Sequence, residues 1–196
     1  TEAPLNDLIA LAEQHQAALM IDDAHGFAVR EHALPLVDVY MATLGKAVGT
    51  FGAFVAGSTD LIDYLTSRAR TFCFTTATPP LLAAATLAAL DVIDAEPQRQ
   101  QQLAANIAQL RSGLQAQGWK MVDSHTAIQP ILIGDAAAAL RLSQQLEAQG
   151  ILAVAIRPPT VPHGTSRLRI TVSAAHTTAH IDRLLGVMVA QRSMVR

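Results

Sequence analysis

The first half of the chain alternates between helical spacing and short, continuous apolar runs. From residue 5 to residue 16, apolar side chains recur every three or four positions, which predicts a helix, and Asn6 is its expected N-cap. Three apolar runs follow, at residues 18–21, 37–42 and 52–56. Runs of this length are typical of strands that are buried on both faces of a parallel sheet.

The remaining pattern predicts more helices and a second group of strands. A helix is expected over residues 60–70, and an Ala-rich, buried one over residues 80–95, where Pro80 fits a first helical turn. Glu96-Pro97 is the clearest interruption, so we expect a first domain of residues 1–96 and a second of residues 97–196. The second domain is predicted to be a small α/β layer, with helices ending near 117, at 136–149 and at 177–191, and strands at 119–122, 128–133, 151–156 and 167–172.

Composition narrows the classes of function. The 196 residues are 51% hydrophobic and 15% charged, as in a globular protein, and the formal net charge of −2 leaves no basic footprint for nucleic acid or an anionic membrane. No apolar stretch approaches the roughly 20 residues of a spanning helix. The single Cys73 excludes an internal disulfide and a multi-cysteine metal site, and a reducing, cytoplasmic location is expected. No signal peptide and no initiating Met are present, so the chain is expected to be a fragment.

Three polar side chains follow the first predicted strand. Asp22, Asp23 and His25 lie where a buried strand ends, and α/β proteins place ligands at the carboxyl ends of parallel strands. The same residues also suit a turn whose carboxylates cap the next segment. A metal site is a weaker hypothesis, because Asp-x-x-His supplies two ligands and no third is identifiable by spacing.

Lys46 is the candidate nucleophile. It follows Gly45 after an apolar strand and precedes Gly49 and Gly52, so that its amine is expected to project into a site of low dielectric. A lysine that loses hydration there forms Schiff bases with aldehydes. The alternative is an ordinary surface-loop lysine. A phosphate-binding Walker loop is excluded, because Met41 and Ala47 stand where its first glycine and its Ser or Thr belong, and no Gly-x-Ser-x-Gly hydrolase motif occurs.

Four motifs, in this order, resemble those of the α-oxoamine synthases, a family of pyridoxal 5′-phosphate (PLP) enzymes of fold type I. They are Asp22-Asp23-Ala24-His25-Gly26, Thr43-Leu44-Gly45-Lys46-Ala47, Phe74-Thr75-Thr76-Ala77-Thr78-Pro79-Pro80, and Arg157-Pro158-Pro159-Thr160-Val161-Pro162 with Gly164-Thr165-Ser166-Arg167-Leu168-Arg169. The resemblance covers nearly the whole chain. It implies an α/β fold that combines part of a large, mainly parallel sheet domain with a small C-terminal domain.

The resemblance also implies a role for each matching residue. Lys46 would hold PLP covalently and later move the substrate's α-proton, Asp22 would pair with the pyridinium nitrogen, and His25 would contact the phenolic oxygen. Thr43 would bind the phosphate, and Thr75 or Thr76 would reach the phosphate in the neighbouring subunit, which implies a homodimer with shared active sites. Arg169 would bind the amino acid's carboxylate, and Thr160 would line the substrate pocket.

Five other residues are expected to have structural roles. Arg157 and Arg167 are expected to be solvated or salt-bridged, His163 and His176 to be loop and cap residues, and Cys73 to pack as a small apolar residue.

The C-terminal motif is most similar to the branch of the family that condenses L-alanine with a pimeloyl thioester, carried on coenzyme A or on acyl carrier protein, to make the biotin precursor 8-amino-7-oxononanoate. The branches that make 5-aminolevulinate or 2-amino-3-ketobutyrate are the alternatives. Two features depart from the family: its N-terminal half, with the Gly-rich phosphate cup, is absent, and the connection from His25 to Lys46 is short. A noncatalytic fragment is therefore a second hypothesis, and a metal-dependent hydrolase that uses Asp22, Asp23 and His25 is a third.

Overall fold

The computed structural model describes residues 2–29 and 37–192. The chain forms two compact units. We call Ala3–Pro97 the N-terminal unit, and the described residues from Gln98 onward, with which Glu2 is grouped, the C-terminal unit. The short connection between His25 and the Lys46 strand falls partly outside the described residues.

Each unit combines a three-stranded sheet with helices. The elements of the N-terminal unit are α1 (Leu5–Gln14), β1 (Met20–Asp22), β2 (Val39–Thr43), β3 (Ala53–Gly57), α2 (Thr59–Arg68), α3 (Arg70–Cys73) and α4 (Pro80–Ala95). Those of the C-terminal unit are α5 (Gln98–Ala116), β4 (Ile128–Gly134), α6 (Ala136–Ala148), β5 (Val154–Ile156), β6 (Ser166–Thr171) and α7 (Thr178–Gln191).

The sheet of the N-terminal unit is mixed. Its order is β1-β2-β3, with β1 parallel and β3 antiparallel to β2. The expectation that all three strands are buried on both faces is wrong for the described residues, because only Tyr40 and Ala42 are buried. Their neighbours on β2 alternate with them and lie on the more open face, which is the period of two that a half-covered strand shows.

The helices begin at local signals in the sequence. α1 has Pro4 at its N-cap and not the expected Asn6, so that no side chain caps it. α2 begins earlier than predicted, because the Ser58 hydroxyl accepts a hydrogen bond from the Leu61 amide at 3.3 Å. α4 has the predicted bounds, with Pro80 in its first turn.

α4 is not the buried helix that its composition predicts. None of its residues is buried, and Leu81 and Leu87 are 76% and 65% exposed. Apolar side chains occupy several sides of this helix. Only the stripe that contains Leu82, Thr86, Leu90 and Ile93 is half-buried, and the other sides are mostly open. Among the described residues, none of the helices combines the length and apolar character needed to cross a membrane.

The C-terminal unit has a continuous hydrophobic core. Its sheet is antiparallel in the order β4-β6-β5, and α6 packs against all three strands. The predicted alternation in β6 is confirmed, since Leu168 and Ile170 are buried while Arg167 and Arg169 lie on the opposite face. Leu110, Leu114, Ile131 and Leu146, all fully buried, pack around this strand face.

Two predicted strands of this unit are shorter than expected. Residues 119–122 contribute only an isolated bridge from Met121 to Ile131, and β5 begins at Val154 and not at Ile151. The amide of Trp119 donates to Leu114 O, and that of Ile151 donates to Leu146 O. These amides complete the preceding helix ends, so neither segment is free to start a strand there.

Candidate functional site

Two of the predicted site residues share one face of the N-terminal sheet. Asp22, the last residue of β1, lies opposite Met41 of the parallel neighbour β2. Thr43 ends β2 two residues later, and alternate residues of a strand share a face. The carboxylate of Asp22 and the hydroxyl of Thr43 therefore stand on the same face, at the carboxyl ends of adjacent parallel strands.

Asp22 is held by its own turn and is open to solvent. Its Oδ1 accepts a hydrogen bond from the Ala24 amide at 3.0 Å, which fixes the side chain at the start of the turn that carries His25. His25 is exposed in that turn. The expectation of carboxylates that cap the next segment is thus confirmed for Asp22, and it is compatible with an exposed carboxylate that also meets a cation.

The Thr43 hydroxyl is buried, and the described residues provide it with no hydrogen-bond partner. A buried hydroxyl without a partner costs about 1–3 kcal/mol, so its presence calls for an explanation. An anionic oxygen at this edge of the sheet would be an acceptor for that hydroxyl. Thr43 is therefore the residue of this unit whose unmet hydrogen bond points most directly to a bound ligand.

The loop that carries Lys46 connects β2 to β3 and has a defined backbone. The Leu44 amide donates to Gly52 O at 2.8 Å, and the Gly49 amide donates to Lys46 O at 3.0 Å. Gly49 and Gly52 have φ angles of +74° and +106°, which L side chains rarely adopt. The expected surroundings of low dielectric are not found, because the tip of a hairpin projects from its sheet and leaves Lys46 exposed.

Sequence reasoning missed the anchor of this loop. The Thr86 hydroxyl of α4 lies 3.0 Å from Thr50 Oγ1, and the Thr50 amide donates to Leu44 O at 2.9 Å. These bonds tie the loop to the helix behind it. A lone threonine in an apolar helix is a weak signal, since its hydroxyl also serves to bond Leu82 O one turn earlier, as it does here at 2.8 Å.

The side chain of Asp23, next to Asp22, lies on the opposite face of the N-terminal sheet. Its Oδ2 accepts a hydrogen bond at 2.8 Å from the phenol of the buried Tyr40. The two carboxylates, which look equivalent in sequence, are thereby separated by the alternation of the strand. Within the described part of the chain, no group of three His, Cys, Asp or Glu side chains is arranged to hold a metal ion.

Thr75 and Thr76 lie in a different part of the same unit. They belong to the irregular segment between α3 and α4, where both are exposed. Phe74, beside them, is 78% exposed with Arg70 over its ring at 5.4 Å. Cys73 is also exposed, and its thiol donates to Thr66 O at 3.3 Å, so the expectation that it packs as a small apolar residue is wrong. The helices α2 and α3 contain no buried residue, so Cys73 has no hydrophobic core to pack into.

The remaining two candidates belong to the C-terminal unit. Arg169 is exposed on β6, where it pairs with Pro130 and Val154 on the outer face of the sheet. Thr160 is exposed in a turn, and its amide donates to Arg157 O at 3.1 Å. The cis peptide bond between Pro158 and Pro159 lies inside that turn.

Arg167 and His176, which the sequence also singled out, make hydrogen bonds to residues near them in the chain. Arg167 donates to Thr165 O at 3.1 Å. His176 accepts from the Ser173 amide at 3.0 Å, while His180, three residues after the N-cap Thr177, completes the capping box of α7. The bond of His176 closes the turn that precedes α7.

The chain belongs to the class I and II aminotransferase family, whose sequence profile matches residues 1–188. It is similar to curated proteins named 8-amino-7-oxononanoate synthase: 50% identical over 204 residues to that of Marinobacter nauticus, covering 98% of this chain and 52% of the relative. The same identity holds over 198 residues for Nitrosococcus oceani, with 95% and 52% covered. The chain thus spans about half the length of the curated relatives that it matches.

Solved structures confirm the predicted α/β fold of the PLP-dependent type I class. A structure described as SPT with a PLP internal aldimine aligns with a TM-score of 0.92 at 28% identity, over 100% of this chain and 52% of that one. Serine palmitoyltransferase from Sphingomonas wittichii gives 0.91 at 27%, with 98% and 51% covered. The 8-amino-7-oxononanoate synthase of Francisella tularensis gives 0.79 at 25%, with 95% and 58% covered.

Proposed function

We propose that the natural protein containing this chain is a PLP-dependent acyltransferase that condenses L-alanine with a pimeloyl thioester and releases 8-amino-7-oxononanoate and carbon dioxide, a step of biotin biosynthesis. The observation that carries this proposal is the 50% identity, over 98% of the chain, to a relative named for that product. The four motifs of the sequence lie within the aligned region. The serine palmitoyltransferase structures share the fold at lower identity, 27–28%.

The residues of the N-terminal unit fit PLP. The cofactor carries an aldehyde, a pyridine nitrogen, a phenolic oxygen and a phosphate, and the unit offers an amine, a carboxylate, an imidazole and a buried hydroxyl that lacks an acceptor. PLP, when bound, supplies an electron sink for the negative charge that develops at the substrate's α-carbon.

We assign the cofactor's functional groups to these side chains. Lys46 would hold PLP covalently through Nζ, because a primary amine is the group that condenses with an aldehyde. Asp22 would accept a hydrogen bond from the protonated pyridine nitrogen in an ion pair, which keeps that nitrogen protonated. Thr43 would donate its hydroxyl to the phosphate, and His25 would hydrogen-bond near the phenolic oxygen.

The substrate roles fall on the same lysine and on the C-terminal unit. The amino group of L-alanine would displace Lys46, whose freed amine then takes the α-proton. The α-carbon would bond to the thioester carbonyl carbon as the thiolate leaves, the former alanine carboxylate would leave as carbon dioxide, and the Lys46 ammonium group would return a proton to that carbon. Arg169 would bind that carboxylate through two parallel N–H donors before it leaves, and Thr160 would line the pocket.

A homodimer with shared sites completes the proposal. Thr75 and Thr76 would donate to the phosphate bound in the other subunit. The segment around them supports this, since residues 70–81 are all exposed and include Phe72, Phe74 and Leu81. Exposed apolar groups in such density are typical of surfaces that other protein covers, and a subunit interface is one such surface.

The test is a set of matched condensation assays on the complete natural protein. L-alanine is offered with pimeloyl coenzyme A and with pimeloyl acyl carrier protein, and L-serine is offered with a palmitoyl thioester. The expected result is release of carbon dioxide and of a C9 amino ketone from L-alanine and a pimeloyl donor, with no turnover of L-serine. The pimeloyl thioester that is turned over faster identifies the natural acyl donor.

Three results would overturn the proposal. The protein would belong to another branch of the family if it preferred other substrates to L-alanine. These are L-serine with the palmitoyl donor, or the substrates of 5-aminolevulinate synthase or 2-amino-3-ketobutyrate ligase. Absence of turnover with every pair, in a protein that binds PLP, would favour a noncatalytic descendant of the fold. Turnover that is abolished by metal removal and insensitive to Lys46→Ala would favour the hydrolase hypothesis.

A further inference from the structure

Asp23 anchors the turn that carries His25. Its amide donates to Met41 O at 2.8 Å, and its carbonyl oxygen accepts from the amides of Gly26 and Phe27, both at 3.0 Å. Backbone bonds on both sides of one residue fix the exit of β1 relative to β2. Asp22 immediately precedes this anchor and His25 lies inside the turn, so both depend on where Asp23 sits.

The side chain of Asp23 is fixed as firmly as its backbone. Tyr40, which is 4% exposed, donates its phenol to Asp23 Oδ2 at 2.8 Å. The Tyr40 ring lies 6.1 Å from that of Phe54, which in turn contacts Phe27 edge-on at 5.1 Å. Burial, followed by the hydrogen bond and the charge of Asp23, raises the pKa of Tyr40, so that the phenol keeps the proton it donates.

Gly26 closes the space around the same carboxylate. A Cβ on Gly26 would lie 2.9 Å from Asp23 Cγ and closer still to Oδ1. Gly26 is itself buried, so no outward shift is open to it without breaking the turn. The carboxylate of Asp23 is therefore confined between the Tyr40 phenol and the Gly26 backbone.

We infer that Asp23 and Tyr40 form a positioning pair, which aims Asp22 and His25 at the nitrogen and the phenolic oxygen of the PLP ring. The inference rests on the proposed function, because it concerns how this chain presents those two groups. Neither member of the pair would touch the cofactor, because Tyr40 lies on the buried face of β2 and the carboxylate of Asp23 accepts its hydrogen bond there.

The test uses Tyr40→Phe in the complete natural protein, with Tyr64→Phe as the control. These are the two tyrosines of the chain, and Tyr64 is 63% exposed on α2. The readouts are the PLP dissociation constant and the pH midpoint of the visible band of the bound cofactor. Both depend on the partners of the ring nitrogen and the phenolic oxygen, whereas a merely structural role lowers thermal stability and leaves them unchanged.

Tyr40→Phe is expected to weaken PLP binding at least about fivefold and to shift the pH midpoint, because a hydrogen bond to a charged group is lost at the anchor. Asp23→Asn keeps an oxygen that accepts from the phenol, so it should retain most of the affinity, while Asp23→Ala should lose as much as Tyr40→Phe. Tyr64→Phe should change neither readout.

Two outcomes would contradict the inference, and they are distinguishable. An affinity and a pH midpoint in Tyr40→Phe that equal those of Tyr64→Phe would overturn it alone, whatever happens to thermal stability. Wild-type protein that binds no PLP would overturn it together with the proposed function.

Discussion

Asp22 and Thr43 lie on one face of the N-terminal sheet, with Asp22 opposite Met41 and Thr43 two residues further along the parallel neighbour. The strands determine this placement, because Asp22 is the last residue of β1 and Thr43 is the last residue of β2. The consequence is a carboxylate beside a hydroxyl at one sheet edge, next to the hairpin that carries Lys46.

The buried hydroxyl of Thr43 should be costly without a ligand and useful with one. Thr43→Val removes a polar atom that has no partner among the described residues, so the free energy of unfolding of the PLP-free protein should rise by up to about 1 kcal/mol. PLP should bind about tenfold more weakly, because its phosphate loses a donor. Urea unfolding and PLP titration measure the two effects.

Thr86→Val is the matched control for this substitution. Its hydroxyl already donates to Leu82 O and lies 3.0 Å from Thr50 Oγ1. Its removal should therefore lower the free energy of unfolding by about 1 kcal/mol. If Thr43→Val destabilised the PLP-free protein as Thr86→Val does, the Thr43 hydroxyl would have a partner within the fold and its assignment to phosphate would be wrong.

Arg169 should act on the amino acid and not on the cofactor. Arg169→Lys keeps the charge but loses the planar pair of donors, so the KM for L-alanine should rise about tenfold or more while the amount of bound PLP stays at the wild-type level. Steady-state kinetics with L-alanine as the varied substrate measure the change.

Arg167→Lys provides the comparison, because Arg167 lies on the same face of β6 and its guanidinium is engaged with Thr165. The KM of the Arg167→Lys variant for L-alanine should stay within about twofold of the wild-type value. Equal effects of the two substitutions would indicate that this strand face contributes general positive charge and that Arg169 has no specific carboxylate contact.

Tyr40 should make stability fall at high pH. Its pKa is raised above the ordinary value near 10, with burial as the first cause, so the folded protein holds this proton more tightly than the unfolded chain does. The stabilisation is fully present below pH 10 and is lost as the pH rises above it, because the unfolded chain then ionises first. Unfolding midpoints from pH 8 to pH 11 should converge between wild type and Tyr40→Phe as the pH rises. A difference that stays constant over this range would contradict the shift.

The sequence is most informative where a residue constrains the backbone by itself. Pro80 and Glu96-Pro97 set the bounds of α4, and the alternation in β6 assigns Leu168 and Arg169 to opposite faces. Side-chain chemistry at a strand end likewise locates Asp22 and Lys46 before any coordinates are known.

Other features depend on contacts that are distant in sequence. Asp23 is equivalent to Asp22 in the motif until the register of β1 against β2 brings it to Tyr40, 17 positions away. Trp119 and Ile151 look like strand residues because they are apolar, yet their amides complete helix ends. The prediction that α4 is buried is wrong for a similar reason. Composition indicates that a helix has apolar side chains to bury, but which of its sides is covered depends on the packing.

The central claim is that Lys46 carries PLP, and borohydride trapping with peptide mass analysis tests it most directly. The chain has two lysines, Lys46 and Lys120, and both are exposed, so replacing either by alanine should change stability by no more than about 0.5 kcal/mol. In the complete natural protein, we predict one reduced pyridoxyl phosphate on the peptide that contains Lys46, retained in Lys120→Ala and lost in Lys46→Ala. An adduct that persists at the wild-type level in Lys46→Ala would contradict the claim.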